Sequence, residues 1–147
     1  MSGSNPARAV FQSSTTLSIK EVSDRYLAAW AARDTDAIVA MHSEDSIFWR
    51  HTGEERVVGR DAIKKYFSAI FVRNPTYAFD VHRILFGERH WVLDWTMKGE
   101  FADREGKPVL VRIDMVDIVT INDRGEVTRK DTFLDGVQAQ AQMAKLR

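Results

Sequence analysis

Three aspartates and a tyrosine stand in this chain where proton chemistry could be done: Asp94, Asp117, Asp131 and Tyr26. The strongest signal is Asp117. Alternate residues from Val109 read Val109, Val111, Ile113, Met115, Asp117, Val119 and Ile121, six hydrophobes with one carboxyl group among them. If that phase faces a core, Asp117 must be hydrogen-bonded, paired with a cation or protonated. A neutral carboxyl could donate a hydrogen bond to a substrate, and a carboxylate could act as general base. The other reading is a β-bulge near Met115, which would shift the phase and set Asp117 at a solvated edge.

Asp94 lies between Leu93 and Trp95, in the phase of Val92, Thr96 and Lys98. Asp131 shares a phase with Val127, Arg129 and Phe133, on a strand that follows that of Asp117 after one turn. Two carboxyls in one dry cavity raise each other's proton affinity, which suits acid/base work; the alternative for Asp131 is a salt bridge with Arg129 or Lys130. Tyr26 falls on the apolar stripe of a helix, either as a plain core tyrosine or with its hydroxyl reaching into a cavity. Arg50 follows Phe48 in strand phase, as a cation facing a carboxylate or an anionic substrate group, or as a surface arginine. Trp30, Phe48, Tyr66, Trp95, Met115 and Phe133 are the expected apolar walls of a substrate pocket. Arg112 and Asp114, two apart in the opposite phase to Asp117, suggest an ion pair on the outer surface of a sheet or at a dimer contact.

These residues must be held by ordered elements, and the pattern supplies them. A loose arm is expected over residues 1–17, rich in Ser, Thr and small residues. Ser18 with Glu21 three positions on forms a capping-box signature before a helix through Ile19, Val22, Tyr26, Leu27, Ala29 and Trp30. Asp34 or Thr35 caps a second, short helix. Ser46 to Arg50 reads as a strand, and Asp61 as the cap of a third helix through Ile63, Tyr66, Phe67 and Ile70, stopped by Asn74-Pro75. Strands are expected over 77–86, 90–101, 108–121 and 126–134, separated by turns too short for helical crossovers and therefore antiparallel. The tail 136–147, rich in Gln and Ala, reads as a short helix or a frayed end.

Composition narrows the function classes. With 147 residues the chain has the size of one domain with one real core. Its 21 basic residues balance 21 acidic ones, so nonspecific binding to nucleic acid or anionic membrane is not expected. The chain has no cysteine, which excludes disulfides and thiolate chemistry. His42, His51, His82 and His90 lack metal-site spacing, and no phosphate loop or dinucleotide fingerprint is present, so neither metal nor cofactor is expected. No apolar run has membrane-spanning length and the N-terminus lacks an apolar leader core, so a cytoplasmic location is the expectation.

The order of elements, with Val22-Ser23-Asp24-Arg25-Tyr26-Leu27-Ala28-Ala29-Trp30, Gly59-Arg60-Asp61-Ala62-Ile63 and Val116-Asp117 leading into Asn122-Asp123-Arg124-Gly125-Glu126-Val127, resembles the SnoaL-like and nuclear transport factor 2-like superfamily. Ketosteroid isomerase and limonene epoxide hydrolase are relatives. The resemblance covers residues 18–135 and implies an α+β cone, in which a strongly curved mixed or mainly antiparallel sheet packs on three N-terminal helices and encloses a pocket. Against ketosteroid isomerase, Tyr26 and Asp117 fall where that enzyme keeps the tyrosine and the protonated aspartic acid of its oxyanion hole, while Arg50 occupies the place of its proton-shuttling base. Against limonene epoxide hydrolase, Asp94 and Asp131 match its two aspartates, and Val92 stands where its bridging arginine would be. The resemblance implies a cofactor-independent acid/base enzyme acting on a hydrophobic small molecule, of cyclase or isomerase type. The alternatives are an epoxide hydrolase using Asp94 and Asp131, or a noncatalytic ligand-binding or dimeric scaffold domain. It also implies a homodimer formed through the sheet.

Overall fold

The computed structural model describes residues 17–147, so most of the expected N-terminal arm lies outside the described residues. Helix α1 (Ile19–Ala31) begins with the capping box: the Ser18 side chain accepts from the Glu21 N–H at 3.1 Å, and the Glu21 carboxylate reaches back to the Ser18 N–H. Val22, Tyr26 and Trp30, four residues apart, form its buried stripe. Helix α2 (Thr35–Ala40) is capped by Asp34, whose carboxylate accepts from the Ala37 N–H at 3.0 Å. Helix α3 (Arg60–Arg73) differs from expectation at its start. Gly59, at φ 91°, is its N-cap and no side chain caps it; Asp61 sits in the first turn, where its charge favours the helix dipole.

Six strands form one sheet: β1 (His42–Arg50), β2 (Val57–Val58), β3 (Ala78–Phe86), β4 (His90–Ala102), β5 (Pro108–Ile121) and β6 (Val127–Leu134). Their order is β2-β1-β6-β5-β4-β3, with β1 and β6 parallel and every other pair antiparallel. The four later strands match the sequence expectation to within a residue or so at each end. β1 begins four residues earlier than expected, and the two-residue β2 carries no pattern long enough to read.

Two register features decide which side chains face inward. Along β5 exposure alternates without a break, and the odd positions from Val111 to Ile121 are all buried, Asp117 among them. There is no bulge near Met115. The bulge lies in β6, where Thr120 pairs with Arg129 but Ile121 pairs with Val127, leaving Thr128 as the extra residue. It reverses the phase of β6, so that Lys130 and Thr132 point to the interior with Val127.

The tail is an ordered helix, α4 (Gly136–Ala144), and it completes the sheet. β6 ends at Leu134, which leaves the first half of β5 with unpaired backbone donors. Gln138 accepts from the Asp114 N–H at 2.7 Å and Gln142 from the Arg112 N–H at 3.0 Å, one helical turn matching two strand residues. Ala139 and Met143 on the same helix then close one side of the interior space. Among the described residues no helix is long and apolar enough to cross a membrane.

Candidate active site

The concave face of the sheet and helices α1, α3 and α4 enclose a cavity of about 340 Å³. That is at the small end of the range for ligand sites, roughly 300–1,000 Å³. Its walls include Trp30, Phe48, Tyr66, Trp95 and Met115, with Arg50 at one side. Phe133, expected among them, is on the opposite face of β6, where it stacks on His51 at 4.0 Å between ring centres. The phase reversal at Thr128 is the reason.

Lys130 forms part of the cavity wall and was not singled out by residue type or spacing as a site residue. It is 5% exposed, and its Nζ lies 3.6 Å from Asp117 Oδ2, with Asp117 3% exposed. Asp117 Oδ1 accepts a hydrogen bond from Thr132 Oγ1 at 2.7 Å. On its other side Nζ faces the Trp30 ring at 4.0 Å, with Tyr26 and Phe67 at 5.2 and 5.6 Å. These ring faces favour a cation. No described atom accepts a hydrogen bond from Nζ within 3.5 Å, so an ammonium here has three donors and only a loose carboxylate contact. Burial pulls the Lys130 ammonium below the ordinary lysine range, opposed by the Asp117 charge.

Asp117 itself borders an adjoining hollow of about 10 Å³, which shares Trp30, Tyr77, Trp95 and Lys130 with the main cavity. Lys130 is therefore the charged link between Asp117 and the cavity. Tyr77 is fully buried beside them, and its phenol is held well above the usual range by burial, with Asp117 and Tyr26 adding to it.

Tyr26 does not line the cavity. Its hydroxyl is engaged by His42 Nε2 at 2.8 Å, and His42 Nδ1 meets Ser46 Oγ at 3.2 Å. Burial, then the charges of Lys130 and Arg60, push the His42 imidazole down to about 3, so the ring is neutral and both nitrogens are satisfied. Burial likewise raises the Tyr26 phenol, and the nearby Trp30 N–H opposes this only in part. The Tyr26–His42–Ser46 chain is thus a fully hydrogen-bonded core network, with the hydroxyl turned away from any ligand.

Asp94 and Asp131 are not brought together and neither reaches the cavity. Asp94 is half exposed and pairs with Arg83 at 3.2 Å. Asp131 accepts from Arg129 through both oxygens, at 2.7 and 3.0 Å, and contacts His51 Nε2 at 2.8 Å. Burial alone would raise the Asp131 carboxyl, but Arg129 and His51 hold it below the usual range. The sequence alternative of a salt bridge with Arg129 describes Asp131 correctly. Arg112 and Asp114 do lie on the outer surface, but in different contacts: Arg112 approaches Asp80 at 3.7 Å, while Asp114 accepts from Thr96 and Gln138.

Arg50 contacts Glu54 at 2.9 Å, a close charge contact in which the Nε–H is not aligned for a hydrogen bond. Glu54 also accepts from Tyr66 at 2.9 Å. Trp30 Nε1 and Trp95 Nε1 are buried and make no hydrogen bond among the described residues. Among the described residues these three N–H groups are the fully buried side-chain nitrogen or oxygen atoms without a hydrogen-bond partner, and all belong to residues of the cavity wall. Each is a donor that cannot accept. Among the described residues no group of three or more His, Asp or Glu side chains is placed to hold a metal ion.

The SnoaL-like domain family matches residues 23–130 of the chain. Among solved structures, one similar protein is assigned to the SnoaL-like polyketide cyclases and comes from Shewanella putrefaciens CN-32. It is 18% identical, with a TM-score of 0.77 over 99% of this chain and 97% of that one. The epoxide hydrolase/cyclase-like enzyme SalBIII, of pyran ring formation in the polyether salinomycin, is 20% identical, with a TM-score of 0.72 over 82% of this chain and 92% of its own. An epoxide hydrolase from M. tuberculosis, similar to limonene epoxide hydrolase, is 16% identical, with a TM-score of 0.71 over 87% and 90%. At these identities the likeness carries the cone fold, not an activity. No curated protein matches the chain in sequence.

Proposed function

The chain belongs to the SnoaL-like domain family, and on that premise we propose that it is an acid/base enzyme acting on an apolar small molecule with a carbonyl or enol oxygen. The observation that carries this reading is the buried Asp117–Lys130 pair, whose lysine stands in the cavity wall with Trp30, Trp95 and Met115. A ligand oxygen beside Lys130 Nζ would accept a hydrogen bond from an ammonium whose charged contact among the described residues is Asp117 at 3.6 Å. As negative charge develops on that oxygen during enolisation, the ammonium stabilises it in a site of low dielectric. The pair can hold its shared proton on nitrogen or on the Asp117 carboxylate, so Lys130 can also give or take one.

Tyr26 has no part in this reading, because its hydroxyl belongs to the His42 network. An epoxide-opening reading through Asp94 and Asp131 has no support from their positions on the outer face. A noncatalytic binding domain would keep the cavity but use the buried pair only for structure. The three are separated by α-proton exchange on 2-tetralone, an enolisable two-ring ketone, followed by NMR in deuterated water. Wild-type protein should accelerate exchange and Asp117→Asn should lower the rate by about 10²-fold or more. Binding of the ketone without acceleration would refute the enzymatic reading.

A further inference from the structure

We propose that the Lys130 amine is a covalent catalyst that captures the carbonyl carbon of an apolar aldehyde or ketone as an imine. This rests on the carbonyl-binding reading above and deepens it by naming the bond that forms. A nucleophilic amine needs a lone pair, an approach for the electrophile, a nearby group to carry protons, and a partner for the cation that results.

Lys130 meets each requirement. Lys130 is on the wall of the main cavity, and among the described residues its Nζ has only the 3.6 Å contact with Asp117 to give up. Asp117 Oδ2 is 3.6 Å away, while Oδ1 is fixed by Thr132, which leaves Oδ2 free to exchange a proton with nitrogen. The rings of Trp30, Tyr26 and Phe67 face the nitrogen and suit a cation, ammonium or iminium alike. Burial favours the neutral amine, which the six other lysines of the chain, all outside the core, do not share.

The step balances without any oxidant or reductant. The ammonium passes one proton to the Asp117 carboxylate, and the freed nitrogen pair attacks the carbonyl carbon, whose π electrons move to oxygen. Proton transfer from nitrogen to that oxygen gives a neutral carbinolamine. The Asp117 carboxyl then protonates the hydroxyl, water leaves, and the nitrogen pair forms the C=N bond. The products are water, an iminium cation and the Asp117 carboxylate, so the cavity ends with the charges it began with. The iminium would withdraw electrons from the α-carbon more strongly than the ketone does, which assists the proton chemistry proposed above.

The test is reductive trapping with 2-naphthaldehyde, an apolar aldehyde that cannot enolise, and cyanoborohydride at about pH 7, where exposed lysines are almost wholly protonated. Intact mass and peptide mapping of the full-length wild-type protein locate the naphthylmethyl group. The expected result is one adduct per chain, on the peptide containing Lys130, lost in K130R and slowed by 2-naphthol, which can fill the cavity but cannot form an imine. Labelling confined to the α-amine and surface lysines, unchanged by 2-naphthol, would overturn the proposal. Mapping on wild-type protein decides the matter even if K130R does not fold. If 2-tetralone exchanges its α-protons but Lys130 takes no label, the imine is refuted while simple acid/base catalysis stands; with neither exchange nor label, both fall.

Discussion

Asp114 and Asp117 lie three residues apart on β5, and Lys130 and Asp131 are neighbours on β6, yet each pair is divided between two environments. On the convex face, Asp114 accepts from Thr96 and Gln138, Asp131 is held by Arg129 and His51, and Asp80 pairs with Lys98. Each of these carboxylates has a hydrogen-bonded partner. On the concave face Asp117 and Lys130 have one another at 3.6 Å, a threonine and three aromatic rings. The number of contacts around a charge is a poor guide to its use. Asp114 and Asp131 are each held by more than one hydrogen bond, whereas the concave pair is loosely matched, at 3.6 Å.

If that contrast is right, breaking the concave pair should have the largest effect on stability. Asp117→Ala leaves a buried ammonium without compensation and should cost about 3–5 kcal/mol in urea unfolding, whereas replacing both residues, Asp117→Leu with Lys130→Met, should recover most of the loss. A single substitution that costs less than about 1 kcal/mol would mean that water reaches Nζ and that the concave pair behaves like a surface one.

The next effect is that of pH. The folded His42 imidazole titrates at about 3 and the unfolded one near the ordinary 6.5, so between these values the unfolded chain binds the extra proton. Stability contributed by neutral His42 is complete above about pH 6.5 and falls as pH drops toward 3, by an amount on the order of a few kcal/mol. Asp131, held low by Arg129 and His51, adds a loss in the same direction once pH falls below the usual carboxylate range. Denaturant unfolding from pH 7 to pH 4 should show the decline, and His42→Phe should flatten its upper part.

Convex substitutions rank below these. Asp131→Asn removes the charge and one of the two acceptor oxygens that bind Arg129 and His51, and should cost about 1–3 kcal/mol. Asp94→Asn, at an exposed ion pair, should change stability by about 0.5 kcal/mol or less and leave 2-tetralone exchange untouched. A large loss of exchange in Asp94→Asn with stability intact would reverse the assignment of the two faces.

The convex face also carries Val116, Ile118 and Phe133, each more than a third exposed. We propose that this apolar strip seats a second copy of the chain, as the resemblance implies. Sedimentation should give a dimer that Phe133→Glu converts to a monomer; a wild-type monomer at all concentrations would remove the idea.

Much of this architecture was legible in the chain. Ser18 and Glu21 announced α1, and the glycine- and aspartate-rich turns delimited β3 to β6 because hairpin turns require particular residue types. The alternation along β5 offered Asp117 either a core position or, past a bulge near Met115, a solvated edge; β5 runs without a bulge there, so the core position is the one found. Tyr26 was correctly put on the buried stripe, but its partner could not be read, since His42 is sixteen residues away and its nitrogen meets the hydroxyl only once β1 packs on α1.

Local periodicity and turn chemistry therefore determined the three N-terminal helices, the four later strands and their order along the chain. Tertiary structure alone decided which charges share the cavity. One residue, Thr128, is left out of the pairing between β5 and β6, and that bulge exchanges the faces of Lys130 and Asp131. A strand has period 2, so a single unpaired residue sends every later side chain to the other side. Nothing in Val127-Thr128-Arg129-Lys130-Asp131 marks the bulge, which is visible only in the pairing of β6 with β5.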